Sequence, residues 1–394
     1  MNYSLPKFAS CLLLGTMLAA ALSLSPILAA PLHSAKAPSA KRHPLWVTAY
    51  YAVWVQQSGK LTPAKIDYSA FSHLIHFAIV PQIDGSIDDS VKAGITPAES
   101  QAVLGPAHRA GRTVLLSVGG WNTSPQFRAA YSDPHRAAFV KNLVQRVVTR
   151  GYDGLDIDME PLESTDAAGY EAFIRQLRAE MHTANPRLLL TAAASNQPEI
   201  FGAVSSQFDQ INLMTYDLSG PWTGFKTWHN AALYGNGSQM MNPGQPFPSA
   251  QGMVQRYVQA GVPRTKMGIG AAFYGCVWSG ADGPGQSIQG VTVNASVDYD
   301  TLMNTYYQPG HYHWDAQAQA PYLSIDGPQK QFVSYDDERL CAEKVAYARA
   351  EGLGGVMIWE LGSGYRPNQP NGHKDPLLQA VKRAWLSPGK VAAK

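Results

Sequence analysis

Short apolar runs recur eight times along the chain, and between most of them the apolar positions fall three and four residues apart. The runs cover residues 45–51, 73–80, 113–120, 154–160, 188–194, 211–217, 266–273 and 354–360. Their length suits buried strands, and the intervening spacing suits helices that bury one side. Phe139, Val140, Leu143, Val144, Val147 and Val148 mark one such helix, with Asp133-Pro134 as its expected N-cap and first turn. Tyr170, Phe173, Ile174, Leu177 and Met181 mark the next. Strands alternating with helices predict a parallel α/β sheet, and eight units favour a closed (β/α)8 TIM barrel over an open doubly wound sheet. The rhythm breaks between the seventh and eighth strands. Residues 277–334 hold only short Tyr-, Val- and Thr-containing pieces, which predict a small α+β insertion because a structureless loop of that length does not suit a compact domain.

The fourth run departs from the others. In Gly154-Leu155-Asp156-Ile157-Asp158-Met159-Glu160, apolar and acidic residues alternate strictly. A strand sends alternate side chains to opposite faces, so Asp156, Asp158 and Glu160 share one face, with neighbours roughly 6–7 Å apart. Interior parallel strands are apolar on both faces, and three carboxyls are unexpected there. Crowded and shielded from water, they cannot all ionise cheaply, so at least one pKa rises and leaves a proton donor at neutral pH. Asp153 is out of phase with them and is read as a structural residue at the strand entrance.

Barrel enzymes carry their chemistry at the C-terminal ends of the strands. Here those ends supply Tyr50 and Trp54, Ser117 with Gly119-Gly120, Asp158 and Glu160, Tyr216 and Asp217, Phe273 and Tyr274, and Trp359 with Glu360. One mouth thus gathers acids, phenols and indoles with few basic groups. Flat apolar faces with polar rims suit sugar rings.

Composition narrows the remaining choices. Lys7 followed by an apolar stretch closing in Ala29-Ala30 predicts a secretory signal peptide over residues 1–30, an uncleaved anchor being the alternative. Residues 31–43 read as a flexible leader, 44–386 as the barrel domain and 387–394 as a tail. Removing residues 1–30 lowers the formal charge from +2 to +1, which leaves no electrostatic footprint for nucleic acid or an anionic membrane. After cleavage two cysteines remain, Cys276 and Cys341, and their spacing does not decide between a bridge and two buried thiols. His311 and His313 lack a third ligand, and Gly268-Ile269-Gly270 lacks the third glycine of a dinucleotide loop, so neither a metal nor a cofactor is expected.

The spacing Asp153-x-x-Asp156-x-Asp158-x-Glu160 resembles the signature of glycoside hydrolase family 18, the chitinase family. Ser117-Val118-Gly119-Gly120, Met214-Thr215-Tyr216-Asp217 and Trp359 resemble further elements of that family, so the likeness spans nearly all of the expected mature chain. The insertion is similar to the lobe that forms one wall of the cleft in one chitinase subgroup. Ala49, where the family often has glycine, is a small departure. The resemblance implies a secreted, monomeric chitinase that hydrolyses β-1,4-N-acetylglucosamine linkages in chitin and chitooligosaccharides with retention. Glu160 would be the general acid/base, and Asp158 would orient the 2-acetamido group that attacks its own anomeric carbon. Asp156 and Tyr216 would complete the catalytic set, with Tyr50 and Ser117 supporting Asp156. Asp217, Trp359, Gly120, Trp121, Met214, Tyr274 and Trp222 would contact substrate. The alternatives are an endo-β-N-acetylglucosaminidase acting on glycoprotein glycans and a non-catalytic chitin-binding lectin. Such lectins usually lack the acid that Glu160 supplies.

Overall fold

The computed structural model describes residues 44–88, 94–222, 224–235 and 246–387. The expected signal segment and leader, and residues 388–394 of the expected tail, lie outside the described residues. The strands in chain order are β1 (Trp46–Ala52), β2 (His73–Pro81), β3 (Ile87–Asp88), β4 (Thr113–Gly120), β5 (Gly154–Met159), β6 (Leu189–Ala194) and β7 (Gln210–Leu213). They continue with β8 (Met267–Ala272), β9 (Tyr274–Ser279), β10 (Thr292–Asp298), β11 (Tyr312–Asp315), β12 (Ala320–Ile325), β13 (Gln331–Tyr335) and β14 (Gly355–Trp359).

Strand β1 pairs in parallel with both β2 and β14, which closes β1-β2-β4-β5-β6-β7-β8-β14 into an eight-stranded parallel barrel without a free edge. The fold is the expected (β/α)8 barrel. Its short companion β3 pairs antiparallel with the end of β2. Between β8 and β14 stands the inserted lobe, an antiparallel sheet in the order β10-β9-β13-β12-β11 with a helix at Tyr299–Thr305.

The helices bury the stripes that their spacing marks. Helix Ala167–Ala184 buries Tyr170, Phe173, Ile174, Leu177 and Met181 against the barrel. Helix Arg136–Arg150 buries Phe139, Val140, Leu143, Val144 and Val147, but Val148 lies at the margin of that stripe and is 51% exposed. The same helix begins later than Asp133-Pro134 suggests. The carbonyl of Ser132 accepts the N–H groups of both His135 and Arg136, so a turn holds Asp133 and Pro134 outside the helix.

The sixth strand is also shorter than its apolar run. Hydrogen-bonded strand ends at Leu213, and the Thr215 side chain continues the contact with β8, donating to the Gly270 carbonyl (3.1 Å) and accepting the Gly270 N–H (2.9 Å). That substitution of side chain for backbone releases Tyr216 and Asp217 from the sheet's alternation. Asp217 takes a positive φ of 53°.

Cys276 and Cys341 are free thiols, both buried. Among the described residues, no helix is long and apolar enough to cross a membrane.

Candidate active site

Strand β5 carries the acidic face into the barrel. Register places Asp156 level with Ser117 of β4 and Thr191 of β6, so hydroxyls flank it on both sides. Its Oδ2 accepts hydrogen bonds from Tyr50 Oη and Ser117 Oγ, each 3.0 Å away, and its Oδ1 accepts one from Thr191 Oγ1 at 2.6 Å. Burial raises the Asp156 pKa to about 6, against the pull of these three donors.

Asp158 is buried one position further up the same face. Its Oδ1 has no hydrogen-bond partner among the described residues. Its pKa stands well above the usual carboxylate range, first because of burial and then because of the charges of Glu160 and Asp156. Glu160 shares a hydrogen bond with Asp158 and opens to the cleft. Burial and the charge of Asp217 push its pKa up to about 7. Two carboxyls that share a hydrogen bond must hold a proton between them, and the pair titrates as a unit.

Close packing brings the strand to this position. Gly119 and Gly120 both have φ above +110°, and a Cβ on Gly119 would lie 2.0 Å from the Asp158 carbonyl oxygen. A Cβ on Gly120 would strike the Phe77 ring at 2.8 Å. Only glycine lets β4 pass this close.

Across the barrel, Tyr216 belongs to the same buried cluster as Tyr50, Met214 and Tyr274, with its ring edge-on to Tyr274 (5.9 Å between centroids) and its hydroxyl 3.5 Å from Met357 Sδ. A side chain on Gly270 would occupy the space of the Tyr216 ring, which a Cβ there would approach to 2.6 Å. Asp217 reaches solvent at the mouth, yet the surrounding protein desolvates it enough to raise its pKa. It accepts a hydrogen bond from Tyr274 Oη at 2.7 Å.

An open cleft of about 480 Å³ adjoins Glu160. Trp359 is half-buried in its wall, with its ring edge-on to Phe77 (4.8 Å between centroids), Tyr50 (5.4 Å) and Trp54 (6.3 Å). Trp54 and Trp121 line the same cleft and are 50% and 71% exposed. Large indole faces open to water beside an acid suit the apolar faces of sugar rings. Among the described residues, no group of three or more His, Cys, Asp or Glu could hold a metal ion.

The fold therefore brings Asp156, Asp158, Glu160, Tyr50, Ser117, Tyr216, Asp217, Met214, Tyr274, Gly120, Trp121 and Trp359 to one end of the barrel. Trp222 is 49% exposed on the loop after β7, with its ring edge-on to Phe225 at 4.7 Å. Trp228 and Trp278 are fully buried and serve packing. Glu360, at the end of the last run, turns inward and caps its own short helix by accepting the N–H groups of Gly362 (2.9 Å) and Ser363 (2.7 Å). Asp153 pins the outside of the barrel, accepting the Val114 N–H at 2.7 Å and pairing with His108 at 2.9 Å. Sequence inspection missed Thr191 and Phe77. A lone hydroxyl in an otherwise apolar strand was the available signal for the first, and inward alternation with Ile75 for the second.

A parallel barrel with a proton-bearing carboxyl pair beneath an indole-lined cleft defines the class as a glycoside hydrolase. Residues 47–364 match the family described as Glycosyl hydrolases family 18, and the chain belongs to that family. Chitinase 1 of Aphanocladium album is 29% identical over 87% of each chain. Chitinase A1 of Niallia circulans is 31% identical over 70% of this chain and 42% of its own length. Among solved structures, the Ostrinia furnacalis Group IV chitinase superposes with a TM-score of 0.74 at 23% identity, covering 87% of this chain and all of its own. Human YKL-39, described as a pseudo-chitinase with retained chitooligosaccharide binding, superposes with a TM-score of 0.75 at 24% identity and the same coverage.

Proposed function

We propose that the chain is a secreted, monomeric chitinase that cleaves β-1,4-N-acetylglucosamine linkages with retention, the sugar supplying its own nucleophile. The observation that carries this is the Glu160 carboxyl, facing the cleft with a pKa raised to about 7 and hydrogen-bonded to the buried Asp158. Glu160 holds its proton near neutrality and gives it to the glycosidic oxygen as the bond from that oxygen to the anomeric carbon breaks. The carbonyl oxygen of the neighbouring 2-acetamido group attacks the anomeric carbon from the opposite face, forming an oxazolinium ion. Asp158, ionised at that stage, orients the acetamido N–H and stabilises the positive charge. Glu160, now a carboxylate, takes a proton from water as the water oxygen opens the oxazolinium, and the starting configuration is restored.

The neighbours have roles that follow from position. Asp156, with its three hydroxyl donors, sets the charge beneath Asp158. Tyr216 presents its phenol to the acetamido oxygen. Asp217, tied to Tyr274, holds the sugar's hydroxyls, and Trp359 forms the apolar floor. Leaders such as residues 1–30 direct export, which places the enzyme where an insoluble polymer is found.

The same fold serves both a named chitinase and a named pseudo-chitinase, so the barrel alone does not decide activity, and the proposal assigns it to the acid. Turnover of a chitotriose reporter by the unmodified chain and by Glu160→Gln tests this directly. The variant should be slower by roughly 10²–10⁴-fold and still bind the sugar. Equal rates would overturn the assignment. Cleavage of the deacetylated oligomer as fast as the acetylated one would remove the substrate-assisted step.

A further inference from the structure

A second cavity, of about 550 Å³, lies where the inserted lobe meets the loop after β14, and it shares no lining residue with the catalytic cleft. Its volume falls within the roughly 300–1,000 Å³ typical of small-molecule sites. Four phenols line it: Tyr299, Tyr307, Tyr312 and Tyr335. Tyr307 is 42% exposed, a broad ring left open to water just after the lobe helix, and Tyr312 is half-buried.

The polar groups around these rings are held in place. Tyr312 Oη donates to Asp337 Oδ2 at 3.0 Å, and Asp337 is itself fixed as the cap of helix Glu338–Ala350. Arg366 donates from Nε to Asp300 (3.1 Å) and from a terminal nitrogen to Asn304 (2.9 Å), with its guanidinium 5.9 Å from the Tyr299 ring centre. Gln369 completes the rim. The Tyr307 and Tyr335 hydroxyls have no hydrogen-bond partner among the described residues.

Two of the charges lining this cavity have close partners: Arg366 is paired with Asp300, and Asp337 accepts the Leu340 N–H and the Tyr312 hydroxyl, while Glu338, exposed at the rim, accepts the Tyr299 hydroxyl at 3.4 Å. An anionic ligand would find no unpaired cation among the described residues that line this cavity. A neutral ring with apolar faces and peripheral hydroxyls would find stacking surface and ready hydrogen-bond partners. From these observations we infer that the Tyr307–Arg366 pocket is a second, non-catalytic saccharide site that binds N-acetylglucosamine oligomers. The choice of oligomer rests on the chitinase assignment; the geometry of the pocket does not. Such a site would hold the enzyme on an insoluble polymer and add the gain of two linked contacts.

The full chain carrying Glu160→Gln, which leaves the oligomer intact, is titrated with chitotetraose by calorimetry. Two molecules should bind per chain. Adding Tyr307→Ala and Gln369→Ala should weaken the second event by at least about tenfold while the first is unchanged. With Glu160 restored, the Tyr307→Ala and Gln369→Ala changes should leave turnover of a soluble chitotriose reporter at the unmodified rate and reduce retention on insoluble chitin. If Tyr307→Ala lowers the melting temperature, Gln369→Ala alone carries the comparison. One bound molecule in Glu160→Gln, or a second event that neither change weakens, overturns the inference. Absence of turnover in the unmodified chain defeats the chitinase assignment instead, and a Tyr307-dependent binding event would still uphold the second site.

Discussion

Asp158 and Asp336 are both sealed from solvent, and each has an Oδ1 without a hydrogen-bond partner among the described residues, yet the protein treats them in opposite ways. Asp336 follows β13 at the base of the lobe. Its Oδ2 accepts Lys344 Nζ at 2.6 Å and the Ala272 N–H at 3.0 Å, and Lys344 is as fully buried as the acid. Burial lifts the Asp336 pKa to about 6 while Lys344 pulls it down, so at neutral pH the site is a closed ion pair. Asp158 shares its hydrogen bond with Glu160, and the charges acting on it are those of Glu160 and Asp156. The first arrangement cancels a charge where it stands. The second leaves a proton that can be passed on. Burial alone therefore does not make an acid catalytic; what matters is whether its partner is a cation or another acid.

The largest effect should come from opening the closed pair. Lys344→Met leaves a buried carboxylate without its cation, and breaking such pairs typically costs about 3–5 kcal/mol. A fall of that size in denaturant stability is expected, with Asp336→Asn added to Lys344→Met restoring much of it. An unchanged unfolding midpoint in Lys344→Met would mean the pair is not what holds the lobe's base. At the other site the sign is functional. Asp158→Asn should fold normally and lose turnover by roughly 10²–10³-fold, the scale for removing one electrostatic stabiliser of a developing charge. A rate within twofold of the unmodified enzyme would show that Asp158 serves packing and erase the contrast.

The catalytic side of this division was visible in the sequence. Strict alternation in residues 154–160 placed three carboxyls on one face, and eight apolar runs closed the barrel around them. What stayed hidden depends on register between distant strands. Thr191 supports Asp156 because β5 and β6 pair level at that point, and a threonine within Leu-Leu-Thr-Ala-Ala-Ala gives no hint of the offset. Phe77 and Trp54 form the edge-to-face wall around Trp359 through contacts that span nearly the whole chain. Glu360 misled for a related reason: a strand-end acid beside Trp359 suits the mouth, but the following turn offers two free N–H groups and the carboxylate takes them.

Thr191→Val sharpens the comparison at smaller scale. It removes the shortest of the three hydrogen bonds to Asp156 and leaves a buried carboxylate oxygen without a partner, a loss of about 1–3 kcal/mol. That donor lowers the Asp156 pKa, so its loss should raise the pKa further and keep Asp156 protonated to higher pH. Turnover should fall by a factor of a few, with the acid limb of the pH–rate profile displaced upward. A profile that keeps its shape would mean that Asp156 does not titrate in the working range.

The smallest effect separates the stability of the acid pair from its activity. Glu160 has an ordinary pKa of 4.5 and a folded-state pKa of about 7, so the folded chain binds this proton more tightly than the unfolded chain does. Its contribution to stability is full below about pH 4.5 and is lost as pH rises through about 7. Glutamine cannot ionise, so Glu160→Gln should melt close to the unmodified enzyme near pH 4 and a few degrees above it at pH 8. The variant would then be the slower enzyme and, on the alkaline side only, the more stable protein. For Asp336 the direction of the titration is the same, but Lys344 compensates the charge as it forms, and Asp336→Asn should destabilise at pH 8 by stranding the lysine. Opposite signs for the two substitutions at pH 8 are the outcome that the geometry requires. A Glu160→Gln enzyme no more stable than its parent at pH 8 would mean that the cleft already solvates the ionised acid, and the raised pKa would lose its cause.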